Sequence, residues 1–191
     1  LPGIYDALNL VDEDNDGRGD YAYMYGTSMA CPGVAGDAAL VRDYLQDVKG
    51  IPVPDANLIK TLLIHGAEDL GHGYPSYDQG WGGANVRMSI TPPAPYVLQY
   101  AHSTGIASGS WNFATNGGMN LKVIDSMIPL KFTMAHWDTT TSGTLAQDYD
   151  LVVIAPDGTR YEGNAFKEAW STPCPGSSGW GAGKTLFPSW M

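Results

Sequence analysis

The sequence has few cysteines and no long apolar run. Two cysteines, Cys31 and Cys174, are too few in 191 residues for a disulfide framework. Their spacing gives no pairing signal, and we expect one buried thiol and one loop thiol. No apolar stretch approaches the length of a membrane span. No leader precedes Leu1, where the chain reads as the middle of a domain, so we expect targeting segments to be missing.

Positive charge is also scarce. The chain has 10 Lys and Arg against 20 Asp and Glu, a net charge of −10, and no basic block. Tight binding to nucleic acid through its phosphates is therefore not expected, whereas cation binding is favoured. A composition that is 43% hydrophobic and 16% charged excludes a disordered chain. Many turns are expected, because the chain has 24 glycines and 13 prolines.

Two helices are predicted in the first half of the chain. Apolar residues recur at helical spacing over residues 28–45, with Pro32 tolerated in the first turn. A second helix is predicted up to about His65, with Asp55 as its N-cap and Gly66 at its end.

The pattern changes after a proline cluster at residues 91–95, the best linker candidate. Short β-like runs follow at residues 121–124, 130–134 and 151–154, with a turn signal at 156–158. They predict an all-β sandwich with its own core over residues 96–170, and an irregular tail over 171–191. The last run is continuous enough to predict burial on both faces, and Phe132 and Trp137 are expected in the same core.

Ser28 is the strongest candidate for chemistry. A serine becomes a nucleophile when a base removes its proton and donors stabilise the oxyanion, and a helix N-terminus offers such donors. Ser28 lies where the first helix is expected to begin, among small residues. Its position alone is equally consistent with Ser28 being only the N-cap of this helix. A nucleophile elbow of an α/β-hydrolase is a further alternative, but the acidic loop before Ser28 and the Cys31-Pro32 pair after it argue against that.

The string around Ser28 resembles one family. Tyr25-Gly26-Thr27-Ser28-Met29-Ala30-Cys31-Pro32-Gly33-Val34-Ala35-Gly36 is similar to the nucleophile motif of the subtilases, Gly-Thr-Ser-Met-Ala-x-Pro-His-Val-Ala-Gly. Gly33 and Tyr25 depart from it. Pro2-Gly3 and the stretch Gly80-Trp81-Gly82-Gly83-Ala84-Asn85 extend the resemblance over about residues 1–90. It implies an α/β fold for residues 1–92, the C-terminal portion of a subtilase catalytic domain.

The resemblance implies that Ser28 is the nucleophile of a serine endopeptidase acting on protein or peptide substrates. Subtilases carry their triad in the order Asp, His, Ser. The catalytic Asp, the catalytic His and the oxyanion-hole Asn are therefore expected upstream of Leu1, in a missing N-terminal part of the catalytic domain. The chain alone is then expected to be inactive. None of its four histidines, His65, His72, His102 and His136, lies in the family's histidine motif.

An acidic loop precedes the serine string. Asp12, Asp14 and Asp16 supply hard oxygen ligands at alternate positions, with Gly17 for a sharp turn and Asp20 at the ninth position. Tyr23 stands at the twelfth position, where an EF-hand has glutamate. Either a structural calcium site of another type or a solvated acidic turn explains the spacing.

The second half resembles the C-terminal jelly-roll domain of some secreted subtilases. The similarity lies in residues 130–138 and in the stretch from Asp148 to Asn164. It implies an all-β, jelly-roll-like sandwich and an extracellular protein. Asp148 and Asp150 alternate at a strand edge, so they are either further calcium ligands or ordinary solvent-facing residues. A calcium-dependent binding or stabilising module without catalysis is therefore the alternative to a peptidase.

Overall fold

The computed structural model describes residues 10–11, 21–22, 25–73, 75–102, 112–113, 116–117, 121–138, 149–167, 170–174 and 189–190. The chain forms two compact units, Leu1–Gly36 and Asp37–Met191, and the division falls within the first helix. No helix in the described part is both long enough and apolar enough to cross a membrane.

Helix α1 (Thr27–Asp47) extends slightly beyond both ends of its prediction. Pro32 lies inside the helix rather than in its first turn, and it has no N–H to donate to the carbonyl of Ser28. The C-terminal half packs by Val41 and Leu45, both completely buried. The helix ends in a turn at Gly50, whose φ of 67° suits glycine.

Helix α2 (Ala56–Gly66) confirms the predicted segment and its cap. The carboxylate of Asp55 accepts the backbone N–H of Asn57 at 2.7 Å, so it satisfies one donor that the first turn leaves open. Leu58 and Leu62 lie four residues apart on one face and pack against Val41 and Leu45. Together, Val41, Leu45, Leu58 and Leu62 form the hydrophobic core of the unit that begins at Asp37.

Helix α3 (Val86–Ile90) was not predicted, because Gly-rich sequence precedes it. Asn85 caps this helix by accepting the N–H of Met88 at 3.1 Å, and its amide donates to Glu68 at 2.8 Å. Asn85 therefore fixes the start of α3 against the residues that follow α2. The contact between the helices is close, since Gly66 lies against Ser89, which is completely buried.

The residues after the proline cluster begin with a turn. Tyr96 donates its N–H to the carbonyl of Pro93 at 3.0 Å, which closes a turn. Leu98 and Tyr100 then pack against the helical core. The boundaries proposed for a second domain stay a prediction.

The strands form small sheets. The described strands are β1 (Leu10–Val11), β2 (Tyr21–Ala22), β3 (Met134–Ala135), β4 (Val152–Ile154), β5 (Arg160–Lys167), β6 (Trp170–Pro173) and β7 (Ser189–Trp190). β4, β5 and β6 form an antiparallel sheet in that order, β1 pairs with β2 antiparallel, and β3 pairs with β7 parallel. The helices and a small antiparallel sheet agree with an α/β subtilase portion, but an all-β jelly roll is not evident among the described residues.

Several expectations for the β region are wrong in detail. Residues 121–124 form no strand, and β6 lies at the start of the stretch expected to be irregular. Trp137 is 65% exposed and Ile154 is 68% exposed, so neither is a core residue. The predicted turn at residues 156–158 is confirmed, since Gly158 has a φ of 86° and its N–H reaches the carbonyl of Ala155 at 2.9 Å.

Candidate active site at the start of helix α1

The start of α1 is set by Gly26. Its φ of 144° lies in a region that favours glycine, while no heavy atom would lie within 4 Å of an added Cβ. Conformation rather than space therefore requires glycine here. The carbonyl of Gly26 accepts the N–H groups of Met29 and Ala30, both at 3.1 Å, and this turn begins the helix.

Ser28 is the second residue of α1, and its side chain is exposed. The first-turn N–H groups of a helix have no acceptor inside it, and the helix dipole favours negative charge at this end. Every residue from Tyr25 to Gly36 is exposed, including Cys31. The expected buried thiol is therefore not found, because Cys174 is only partly buried. This geometry suits a serine that must be reached by a substrate and whose reaction develops negative charge.

The four histidines all lie in the unit that begins at Asp37, whereas Ser28 lies in the other unit. His72 is exposed, with Nδ1 3.9 Å from a carboxylate oxygen of Asp78. His102 is exposed, and His136 packs edge-on against the ring of Tyr149 with 5.2 Å between ring centroids.

His65, near the end of α2, is the histidine whose surroundings change its proton affinity. It is partly buried, and burial, followed by the charge of Lys131, lowers its pKa from 6.5 to about 4. Its Nδ1 lies 3.1 Å from the hydroxyl oxygen of Thr133. His65 is therefore neutral at pH 7 and is held by a residue far along the chain.

A hydrogen-bonded loop follows α2. One carboxylate oxygen of Asp69 accepts the backbone N–H groups of Gly71, His72 and Gly73 and the amide of Gln79 at distances of 2.7–3.1 Å. The hydrogen bond from Gln79 is the largest cause that lowers the pKa of Asp69, and the backbone donors add to it. These hydrogen bonds give Asp69 a structural role in the loop.

Only one of the candidate calcium ligands lies in the part of the chain that the structure describes. Asp12, Asp14, Asp16, Asp20 and Asp148 lie outside the described residues. Asp150 is described, and it is exposed just before β4. Within the described ranges, no group of three or more His, Cys, Asp or Glu side chains is arranged to hold a metal ion.

Residues 2–82 match the model of the Subtilase family. The matched segment contains Gly26, Ser28, α1 and α2, and it supports a subtilase relationship and a serine-peptidase kind of function. The match ends before α3 and before every strand from β3 onward. No curated protein and no solved structure matches the chain.

The sequence places Lys131 in a β-like run and does not reveal its contact with helix α2. Its amine donates to the carbonyls of Ala67 and Ile64 at 3.1 and 3.3 Å, at the C-terminal end of α2. Burial lowers its pKa to about 8, against the raising effect of Glu68. No local signal marks this contact, because its partners are backbone atoms more than sixty positions away.

Proposed function

We propose that the chain carries the nucleophile of a subtilisin-like serine endopeptidase, and that this nucleophile is Ser28. The observation that carries the proposal is an exposed serine in the first turn of a long helix, inside the segment that matches the Subtilase family. The glycine-directed turn at Gly26 and the small exposed neighbours of Ser28 support it, since both leave room for a peptide to approach.

The proposed reaction is acyl transfer. The Oγ of Ser28 attacks the carbonyl carbon of a peptide bond while a base takes its proton, and the tetrahedral oxyanion is stabilised by hydrogen-bond donors and the α1 dipole. The base returns the proton to the departing amine, and water then hydrolyses the ester on Ser28. A serine alone can do little of this, because its hydroxyl is a weak nucleophile at neutral pH.

We place the base and its partners outside residues 1–191. Two observations support this. None of the four histidines lies in the family's histidine motif, and His65 is engaged with Thr133 and Lys131 at the end of α2. The proposal therefore requires a catalytic His, a catalytic Asp and an oxyanion-hole Asn from a further part of the catalytic domain.

The isolated 191-residue chain is expected to hydrolyse peptides no faster than a buffer blank. Removing the base from a serine peptidase costs about six orders of magnitude in kcat. A fluorogenic peptide assay on the purified chain checks this, with the Ser28→Ala chain as the matched control. Hydrolysis that disappears in Ser28→Ala would show that the chain contains its own base and would contradict the division of the triad.

We further propose that calcium binds the loop carrying Asp12, Asp14, Asp16 and Asp20 and stabilises an extracellular protein, with Asp148 and Asp150 as a second candidate pair. The support is the alternate spacing of carboxylates in a chain of net charge −10. A calcium-dependent module without catalysis is the alternative role for the same residues.

Calcium is expected to raise the melting temperature of the chain relative to excess chelator. Calcium that binds only the native state adds about 2.7 kcal/mol to the free energy of unfolding when its concentration is a hundred times Kd. Scanning calorimetry measures the difference, and the Asp14→Asn, Asp16→Asn double variant should remove most of it. The matched control is Asp43→Asn, an exposed carboxylate on α1. Equal melting temperatures in calcium and chelator would count against the site.

A further inference from the structure

The C-terminal end of α2 holds a small polar cluster that the proposed peptidase chemistry does not use. The cluster consists of His65 on α2 and of Lys131 and Thr133 on the segment that leads into β3. All three side chains are partly buried. We call these residues the docking cluster, because they join residues 131–135 to the end of α2.

Lys131 satisfies the end of the helix. The last carbonyls of an α-helix have no intrahelical donor, and the helix dipole makes this end favourable for a cation. The amine of Lys131 lies 3.1 Å from the carbonyl oxygen of Ala67 and 3.3 Å from that of Ile64. Residue 65 stands between these two acceptors in the chain, so the ammonium group and the His65 ring belong to the same helix end.

Thr133 supplies the second contact. The side chains of Lys131 and Thr133 both reach the end of α2. The Thr133 hydroxyl can donate to neutral Nδ1 of His65, or accept from Nδ1 when the ring is protonated. The hydrogen bond itself therefore survives protonation. What changes is charge, because a protonated His65 places a second positive group beside Lys131.

Other charged groups near the cluster do little to offset that second charge. Glu68 acts on Lys131 and is exposed to solvent. Helix α3 also packs on α2 and carries one ionisable side chain, the exposed Arg87. Helix α1 shares the hydrophobic core with α2, and none of its ionisable side chains in that unit is buried: Asp37, Arg42, Asp43, Tyr44 and Asp47. Lys131 is therefore the charged group that lowers the pKa of the His65 ring.

We propose that the docking cluster is a pH-sensitive contact, which holds residues 131–135 on α2 at neutral pH and releases them when His65 gains a proton. The sign follows from linkage. With residues 131–135 docked, burial and then the charge of Lys131 lower the pKa of His65 from 6.5 to about 4, so the part of this shift that docking contributes favours the neutral ring. Docking is complete above about pH 6.5 and is progressively lost as the pH falls toward 4.

The size of the effect follows from the same shift. A pKa that falls from 6.5 to about 4 corresponds to a decrease of at most about 100-fold in the docking equilibrium between pH 7 and pH 4. This inference stands apart from the peptidase proposal. It concerns a contact between the family-matched segment and residues beyond it, and its test needs no catalytic activity.

The test is hydrogen exchange of the 191-residue chain between pH 7 and pH 4, with rates divided by the intrinsic chemical rate at each pH. Protection of residues 131–135 is expected to fall by up to about 100-fold, while a peptide within residues 56–63 of α2 keeps its protection. His65→Gln should remove the pH dependence, and Lys131→Gln, which keeps a donor, should weaken it. The matched control His102→Gln, at an exposed histidine, should behave as the unchanged chain does.

NMR titration of the His65 ring gives a second readout. Its pKa is expected near 4 in the unchanged chain and higher in Lys131→Gln, where burial still lowers it but the charge of Lys131 is gone. The proposal is overturned if protection of residues 131–135 stays constant down to pH 4, or if His65→Gln loses it in the same interval. It is equally overturned if α2 loses protection together with the segment, because acid would then unfold the whole unit.

Discussion

Ser28→Ala lowers kcat for peptide hydrolysis by about six orders of magnitude in a form of the protein that contains the proposed catalytic histidine. The reason is that the hydroxyl is the attacking atom, and losing the nucleophile of a subtilisin costs about this much. KM should change little, because the substitution removes one exposed oxygen at the start of α1 and no packing. Steady-state assays with a fluorogenic peptide measure both constants.

The matched control is Cys31→Ser, one turn further along the same helix. Its thiol is exposed and free, and it is a second nucleophilic side chain near Ser28 on α1. Its kcat should stay within a few-fold of the unchanged enzyme. Retention of about 1% or more of kcat in Ser28→Ala, or a collapse of kcat in Cys31→Ser, would mean that the nucleophile has been wrongly assigned.

Gly66→Ala is expected to destabilise the unit that begins at Asp37. A Cβ on Gly66 would lie 2.5 Å from the backbone nitrogen of Ser89 and 2.7 Å from its Cα, so α3 must move away from α2. Overpacking of this kind costs about 1–3 kcal/mol, and here the obstacle is backbone rather than a flexible side chain. Ser89 is completely buried, and its hydroxyl donates to the carbonyl of Asn85 at 2.9 Å, so it has little freedom to adjust.

Urea unfolding followed by circular dichroism measures this loss, with Gly36→Ala as the matched control. Gly36 also lies in a helix, but no heavy atom would lie within 4 Å of its Cβ. Alanine there should raise the free energy of unfolding by about 0.4–1 kcal/mol, because it restricts the unfolded chain and favours the helix. Gly66→Ala that is as stable as Gly36→Ala would show that the two helices do not pack as described.

The two long helices could be predicted because their signals are local. The apolar spacing that leads to Val41 and Leu45, and the Asp55 cap before Leu58, are contained within a few turns of sequence. The short helix α3 carried the signal of a capping residue at Asn85, but the glycines before it concealed a helix of five residues. Helix prediction therefore succeeded where length made the pattern clear.

The β region could be predicted less well because strand pairing is non-local. The run at residues 151–154 became β4, yet the pattern could not show that Ile154 would face solvent in a three-stranded sheet. The contacts of Lys131 with α2 have no sequence signature either, since the acceptors are backbone carbonyls. Electrostatic features such as the low pKa of His65 arise only from that packing.

The candidate site also contains one residue with a local signal and others whose arrangement depends on the fold. The serine string predicts a nucleophile at the start of a helix, and an exposed Ser28 stands in the first turn of α1. The acidic residues proposed for calcium carry a spacing argument alone, because all of them except Asp150 lie outside the described residues. Spacing names possible ligands, but the fold decides whether their oxygens meet.

The most direct test of the central claim is covalent labelling of Ser28. A fluorophosphonate reagent is added to an active form of the protein that contains the proposed catalytic histidine, and the tryptic peptides are then read by mass spectrometry. We predict a single adduct on Ser28, formed in parallel with loss of peptidase activity and absent from Ser28→Ala. An adduct on another serine with the same loss of activity, or an active enzyme that carries no adduct, would contradict the assignment.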